Sequence, residues 1–230
     1  MAQVTDQPPV RTFHARRGRR SQLTTDRLET LLPRYAVPPR LGARPAGVER
    51  VVLEIGCGHG AAAVAYAHAH PTHLLVALDV HPPGVARMLA AAADAGVDNL
   101  AAELGDAVEF LEQRVDAGAL DAVHLFFPDP WLKARHHRRR FVSRHTLGLL
   151  ATRLAPGGEV LVATDQLPYA AHVREVAAEE PGWVCEEVAR PAWRPMAGFE
   201  AKGVAAGRAI TELRLRYRAD VERATRIELA

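Results

Sequence analysis

Short apolar runs alternate with longer alanine- and leucine-rich segments from residue 51 to residue 179, and that alternation restricts the fold more than any other feature of the chain. Residues 51–55, 74–78, 100–104, 122–127 and 159–163 have the apolar composition of short buried strands. Residues 61–70, 85–95, 107–115, 143–154 and 170–179 read as helices, and Gly96 is placed to stop the second of them. Strands separated by helices pair in parallel, and a parallel sheet needs both faces covered, so the expected class is α/β. Two further strands, 183–188 and 209–217, follow. In the last one Ile210, Leu213, Leu215 and Tyr217 alternate only in part with Glu212, Arg214 and Arg216, which leaves one face wet. At 230 residues the chain suits one sizeable domain with its own core, and no internal repeat divides it.

Residues 1–45 differ in kind. Arg, Pro and Thr dominate and periodicity is weak, so they read as a basic N-terminal arm with a short helix near 26–32, ahead of a domain over 46–218 and a tail over 219–230. The formal net charge is only +2, so the molecule as a whole is no polycation. Its cations are gathered in 11–20 and 133–140, and a local patch is what an anionic partner meets. Cys57 and Cys185 form no C-x-x-C pair, which argues against a metal site or disulfide framework and suits a reducing cytoplasm. The Arg-rich start has no apolar segment behind it and does not read as a signal peptide. No run approaches the ~20 apolar residues of a membrane span.

Acids stand where the strands end. Glu54 lies two residues before Gly56-Cys57-Gly58-His59-Gly60, a loop that follows one strand and opens a helix. Asp79 ends the second strand, Asp106 follows the third, and Asp129 follows the fourth. In open α/β sheets ligands bind at that edge, and glycines there let the backbone turn and approach them. The spacing G-x-G-x-G differs from the dinucleotide G-x-G-x-x-G, and no Gly-Lys-Ser/Thr follows. Asp79 suits the two ribose hydroxyls of an adenosine, and Asp106 an adenine amino group. Asp106 and Asp165 are also good helix N-caps, which does not exclude a ligand contact. An acid inside a buried strand, as at Glu54, is costly unless something binds it. Four acids would repel a pyrophosphate; an adenosine with a cationic tail fits better, and S-adenosylmethionine carries both a sulfonium and an ammonium group.

The stretch from Phe126 to Arg140 is the most specific in the chain. A strand runs into Phe127-Pro128-Asp129-Pro130-Trp131, where two prolines restrict the backbone around one carboxylate. Trp131 either stacks on a flat ring or packs under the loop. Lys133, Arg135, Arg138, Arg139 and Arg140 can neutralise phosphates. His136 and His137 have no third ligand at metal spacing and read as polar residues facing that same partner, so no metal is expected.

These segments resemble the bacterial tRNA (guanine-N7)-methyltransferases. The likeness rests on 53–60, 79–85, 126–140, Ala163-Thr164-Asp165 with Tyr169, and Arg194-Pro195 through Phe199-Glu200-Ala201-Lys202-Gly203, and runs from about residue 11 to about residue 218. It implies a class I methyltransferase: a doubly wound, Rossmann-like sheet of seven strands, mostly parallel, with antiparallel pairing at the end. It implies methyl transfer from S-adenosylmethionine to N7 of a guanosine in the tRNA variable loop. Glu54, Asp79, Asp106 and Asp129 match the cofactor-contacting acids, together with Gly56, Gly58 and Gly60 of the loop. Asp129 also matches the catalytic position. Lys133, Asp165, Ala197 and Glu200 fall at substrate-contacting positions, with Arg135, His136, Arg138, Arg139 and Arg140 beside them. Two departures stand out: Ala197 replaces a threonine of the substrate motif, for which Thr211 is one possible substitute, and Asp79 replaces the more usual Glu. Monomer and homodimer both fit, and no obligatory protein partner is implied.

N7 of guanine has an in-plane lone pair and no proton to lose, so the transfer needs no strong base. What it needs is alignment, which can supply up to ~7–11 kcal/mol, and a carboxylate where positive charge develops on the ring. Asp129 is the candidate, with Asp165 and Glu200 as alternatives or helpers on N1–H and N2–H. Two competing readings remain, an RNA-binding protein without turnover and a methyltransferase for a small molecule or protein.

Overall fold

The computed structural model describes residues 12–13 and 20–218. Its sheet contains β1 (Arg50–Ile55), β2 (His73–Asp79), β3 (Leu100–Leu104), β4 (Leu120–Phe126), β5 (Leu154–Thr164), β6 (Trp183–Glu187) and β7 (Thr211–Tyr217). The spatial order is β3-β2-β1-β4-β5-β7-β6. β1 to β5 pair in parallel, and β7 runs antiparallel to both β5 and β6. Helices α2 (Ala61–Ala69), α3 (Pro82–Asp94), α4 (Ala107–Arg114), α5 (Arg144–Arg153) and α6 (Leu167–Glu179) join the strands; α1 (Gln22–Leu31) precedes them and α7 (Gly198–Ala205) lies between β6 and β7. This is the doubly wound class I methyltransferase sheet, with its antiparallel end.

The parallel strands read as continuous apolar runs because they are buried on both faces. On β1, Val52 joins a cluster with Leu28, Tyr66, Val85, Met88 and Leu89 of α1–α3, whereas its neighbour Leu53 joins Phe110, Leu111, Leu147, Leu150 and Val173 of α4–α6. β2 divides in the same way, Leu75 and Ala77 to one side and Val76 and Leu78 to the other. Each such side chain contributes about 1.5–3 kcal/mol when fully buried. On β7 the alternation holds where it counts: Leu213 and Leu215 are buried, while Arg214 and Arg216 stay half-exposed and pair with Glu186 and Glu159.

Helix starts follow from local chemistry. Asp106 Oδ1 accepts from the Val108 and Glu109 N–H groups at 2.9 and 3.0 Å and caps α4. Ser143 and Thr146 cap α5 reciprocally, Thr146 N–H donating to Ser143 Oγ and Ser143 N–H to Thr146 Oγ1. Pro82 and Pro83 extend the helix read over 85–95 back by a turn and form the first turn of α3. Proline suits that turn because the missing N–H has no helical acceptor there.

The short helix expected near 26–32 is present as α1, but residues 20–45 lie against the domain rather than standing apart from it. α1 packs against α3, and Leu28, Tyr35, Val37 and Leu41 are buried. The Ala102 N–H donates to the Tyr35 carbonyl at 2.7 Å, so this segment runs beside the outer edge of β3. Single apolar residues scattered among prolines carry no period that sequence inspection detects. Arg11, residues 14–19 and the tail over 219–230 lie outside the described residues.

Candidate active site

The glycine loop folds as a turn seated on α3. Gly56, Gly58 and Gly60 all have left-handed backbone, at φ 75°, 55° and 79°. A side chain at Gly60 would collide with Met88, and a Cβ at Gly84 would lie 2.6 Å from the Gly58 carbonyl oxygen. Asp79 ties the turn to β2: Oδ2 accepts from the Gly58 N–H and Oδ1 from the His81 N–H, both at 2.8 Å. Each carboxylate oxygen has a second lone pair, which leaves acceptor capacity for a ligand's hydroxyls. The shorter Asp side chain is matched to holding the loop, a use the sequence did not suggest.

Glu54 is the electrostatic centre of this edge. It is 3% exposed, and its Oε2 is buried without a hydrogen-bond partner. Burial raises its carboxyl to about 8, opposed by Arg194 and assisted by Asp79. Its lateral partner on β4 is His124, whose Nδ1 lies 3.9 Å from Glu54 Oε2 and is likewise buried and unpartnered. Burial lowers His124 to about 3, so the ring is neutral. Three aromatic side chains fix it: Phe126 and Trp193 stack at 5.0 and 5.3 Å, and Tyr66 meets it edge-on at 5.0 Å.

Asp129 lies beyond β4, next to the point where the strand order reverses between β1 and β4. Its residue is exposed in Pro128-Asp129-Pro130, and that tripeptide is bracketed by Phe127 at φ 52° and Trp131 at φ 44°. Two non-glycine residues in left-handed backbone cost on the order of 1–3 kcal/mol each and persist only where surroundings impose them. Trp131 shows what imposes this: it is buried beneath the loop, with the Arg139 guanidinium 3.9 Å from its ring centre and His136 edge-on at 5.7 Å. The packing alternative holds for Trp131.

The basic strip divides into two sets. Lys133, Arg135 and Arg138 are exposed around the short 3-10 helix Ala134–Arg139. Arg139 and Arg140 turn inward. Arg139 donates to the Phe13 carbonyl at 2.7 Å, and the buried Arg140 donates to the Pro130 carbonyl at 3.0 Å with its guanidinium over Tyr169. Arg140 faces inward, where its charge anchors the Pro-Asp-Pro turn from below.

Asp165 and Glu200 are also more committed than their sequence positions suggest. Asp165 does not cap α6, whose N-cap is Gln166; it pairs with Arg208 at 2.7 Å. Thr164 Oγ1 accepts from the Gln166 N–H just before the helix, and α6 has no side-chain cap. Glu200 is buried and held by Arg190 at 2.5 Å and Arg194 at 3.1 Å. Burial pushes its carboxyl up, and the two guanidinium groups more than offset that and hold it below the usual range. Arg194 also binds Glu212 on β7 and lies over Phe126 at 4.7 Å. Glu200 is thus committed to these two arginines in this structure. Ala197 is the N-cap of α7 and supplies no side-chain hydrogen bond, while Thr211 is buried at the start of β7. Nothing in the structure makes Thr211 a substitute for the missing hydroxyl.

His124, Arg190, Arg194 and Glu212 thus belong to the site region and escaped sequence reasoning as functional residues. For His124 the available signal was a lone polar residue inside an apolar strand, opposite an acid inside another. Among the described residues no group of three or more His, Cys, Asp or Glu is placed to hold a metal ion, and no helix is long and apolar enough to cross a membrane.

Comparison with known proteins points the same way. The model of a family described as "Putative methyltransferase" matches residues 48–213. The chain is 36% identical over 220 residues to a tRNA (guanine-N(7)-)-methyltransferase of Nitrosomonas europaea, covering 91% of this chain and 97% of that one. It is 40% identical over 214 residues to the enzyme of the same name from Sodalis glossinidius, covering 89% and 90%. Among solved structures it matches the 16S rRNA methyltransferase KamB with a TM-score of 0.52 and 19% identity, over 75% of this chain and 89% of that one. A mutant 16S rRNA (adenine(1408)-N(1))-methyltransferase of Catenulisporales acidiphilia, with cosubstrate SAM, matches with a TM-score of 0.51 and 20% identity, over 76% and 87%. At those identities the structural likeness is one of fold.

Proposed function

The chain belongs to the tRNA (guanine-N7)-methyltransferase family, and on that footing we propose that it methylates N7 of a variable-loop guanosine of tRNA with S-adenosylmethionine as donor, Asp129 being the catalytic carboxylate. The observation that carries the assignment of Asp129 is its placement: an exposed acid on a strained, undergirded turn beside the switch point of the sheet.

The residues fit the donor. Glu54 has a buried carboxylate oxygen without a partner, which suits the ammonium group of the cofactor's amino-acid tail. Asp79 has acceptor capacity left for the ribose hydroxyls, Asp106 lies beyond β3 for the adenine amino group, and the backbone of Gly56 and Gly58 leaves room for close approach, while Gly60 is pressed against Met88. Bound there, S-adenosylmethionine supplies a methyl carbon made electrophilic by its sulfonium.

With S-adenosylmethionine held by Glu54, Asp79 and Asp106, the guanine N7 lone pair would form the new N–C bond as the C–S bond broke and its electrons returned to sulfur, with no proton moving at N7. The ring gains a positive charge, and Asp129 interacts more strongly with the ring edge as that charge grows. Lys133, Arg135 and Arg138, with the arm, hold phosphates and present an unstacked loop base. Asp165 and Glu200 act at one remove, by fixing the loop after β5 and the start of α7. The setting for this work is the cytoplasm, where tRNA is.

Asp129→Asn keeps the shape of the loop and removes the charge. Methyl transfer from labelled S-adenosylmethionine to unmodified tRNA should fall at least a hundredfold in turnover, on the scale of losing one electrostatic group at a reacting centre, ~10²–10³-fold. Cofactor affinity should change far less. Near wild-type turnover would remove Asp129 from the chemistry, and transfer to a metabolite pool free of RNA would favour a small-molecule methyltransferase.

A further inference from the structure

Glu54 and His124 are register partners on adjacent parallel strands, with their side chains on the same face. They are 3% and 1% exposed, and the two atoms that face one another, Oε2 and Nδ1, lie 3.9 Å apart with no other hydrogen-bond partner. Two buried acceptors placed face to face would repel. One proton between them turns the contact into a hydrogen bond after a closing movement of about 1 Å, judged against ordinary N···O hydrogen-bond lengths of ~2.7–3.2 Å. The imidazole cannot rotate away freely, because Phe126, Trp193 and Tyr66 enclose it.

We propose that Glu54 and His124 hold one proton between them beneath the glycine loop, and that the ammonium group of the cofactor binds by displacing it. His124 is then a positioning residue, acting through Glu54. This inference rests on the reading that Glu54 faces the cofactor's amino-acid tail.

The surroundings agree. Burial raises the Glu54 carboxyl to about 8 and lowers His124 to about 3, so the proton resides on the carboxyl and is donated to Nδ1. The charged and titratable groups facing the pair are few, and one is His70 at the end of α2, lowered by burial and further by Arg50 and His124. Arg194, from the segment before α7, and Asp79, at the end of β2, act on Glu54 in opposite senses. Arg50 at the start of β1, Glu159 on β5 and again Arg194 act on His124. The Cys57 thiol is buried and raised further by Asp79 and Glu54, so it stays protonated. Tyr66 of α2 is raised to about 12 and is neutral. Among these groups only the Glu54 carboxyl loses a proton near neutrality in response to a cation: the bond that breaks is its O–H, and the proton leaves to solvent. The sign is definite. Below about pH 8 the ligand-free site is protonated, so each unit of acidification weakens binding of an ammonium-bearing ligand about tenfold.

The test is calorimetric titration of the full-length protein with S-adenosylhomocysteine, which keeps the ammonium group, in buffers of different ionisation enthalpy. 5′-Methylthioadenosine, which lacks the amino-acid tail, is the control. Near pH 7, wild type should release close to one proton per S-adenosylhomocysteine and almost none with the control. Glu54→Gln should release none and lose the pH dependence. His124→Phe keeps the aromatic stack but not Nδ1, and should release less and shift the midpoint of the affinity profile to lower pH. His124→Gln restores an acceptor and should return both toward wild type. Wild-type binding that is independent of pH between about 6 and 8 would overturn the held proton while leaving the cofactor reading intact. A His124→Phe variant that behaves as wild type would show that His124 does not share the proton. Failure of wild type to bind S-adenosylhomocysteine even near pH 9 would instead overturn the reading of Glu54 on which the inference rests.

Discussion

Glu54 is asked to be a good ligand and a poor core residue at once. Its folded-state value of about 8 lies above the ordinary 4.5, so the folded protein prefers the protonated form. Stability linked to Glu54 is full below about pH 4.5 and is lost as pH rises through 8, at up to about 1.4 kcal/mol for each pKa unit of difference. Glu54→Gln removes this titration. The ligand-free variant should therefore gain on wild type between pH 5 and 8, by a few kcal/mol at the upper end, while binding cofactor worse. Thermal unfolding at the two pH values checks it, and a melting-temperature gap that does not widen with pH would refute it. Sequence reasoning reached Glu54, because an acid in an apolar strand is hard to explain otherwise. It did not reach His124, because a single histidine in a strand has no meaning until the neighbouring strand and its register are known. Nor did it separate Arg140 from Arg138: both are cations of one run, and only the backbone of the 3-10 helix decides which turns inward.

Elements with strong local signals were legible, and those built from long-range contacts were not. The five parallel strands and the helices between them carry apolar runs, caps and glycines that identify them without a partner. α7 has no apolar run and no side-chain cap; its buried residues are Glu200 and Gly203, and an element whose inner face is a carboxylate has no apolar period. What holds it is Arg194, which joins Glu200 on α7 to Glu212 on β7. Arg194→Met should leave two buried carboxylates short of a partner and cost about 3–5 kcal/mol. Because Arg190 still holds Glu200, adding Glu212→Gln should recover a large part of the loss. Urea unfolding of the single and double variants distinguishes this from simple loss of packing, which the second substitution would not repair. Replacing Arg194 should also lower methyl transfer, through the loosened start of α7 and through Glu54, whose charged form Arg194 favours.

At the scale of the molecule, a net charge of +2 conceals an uneven surface. Lys133, Arg135 and Arg138 are exposed beside Asp129, and the Arg139 contact with Phe13 brings the chain entering from the arm to the same place. Replacing the three exposed cations by Ala should lower tRNA affinity at every sequence alike. It should also flatten the dependence of log affinity on log salt by about 0.7–0.9 for each phosphate that is no longer neutralised. Filter binding over a salt series measures both, and an unchanged slope would place the phosphates elsewhere. The composition made this cluster visible from the start; its orientation toward the sheet's carboxyl edge came only from the fold.

The order β5-β7-β6 also bears on how the protein is made. A ribosome delivers β6 well before β7, with the whole of α7 in between, yet β6 touches the rest of the sheet only through β7. Until residue 217 has emerged, the outer edge of β5 stands open and β6, although it packs on α6, has no strand to pair with. Pairing that must wait for late, distant chain is slow and exposes strand edges to other molecules. The sheet is thus completed, and Glu212 becomes available to hold Arg194 and α7, only once β7 has been delivered. A stalled chain ending between β6 and β7 would carry the cofactor strands but an unfinished edge, and would be a substrate for chaperones rather than a catalyst.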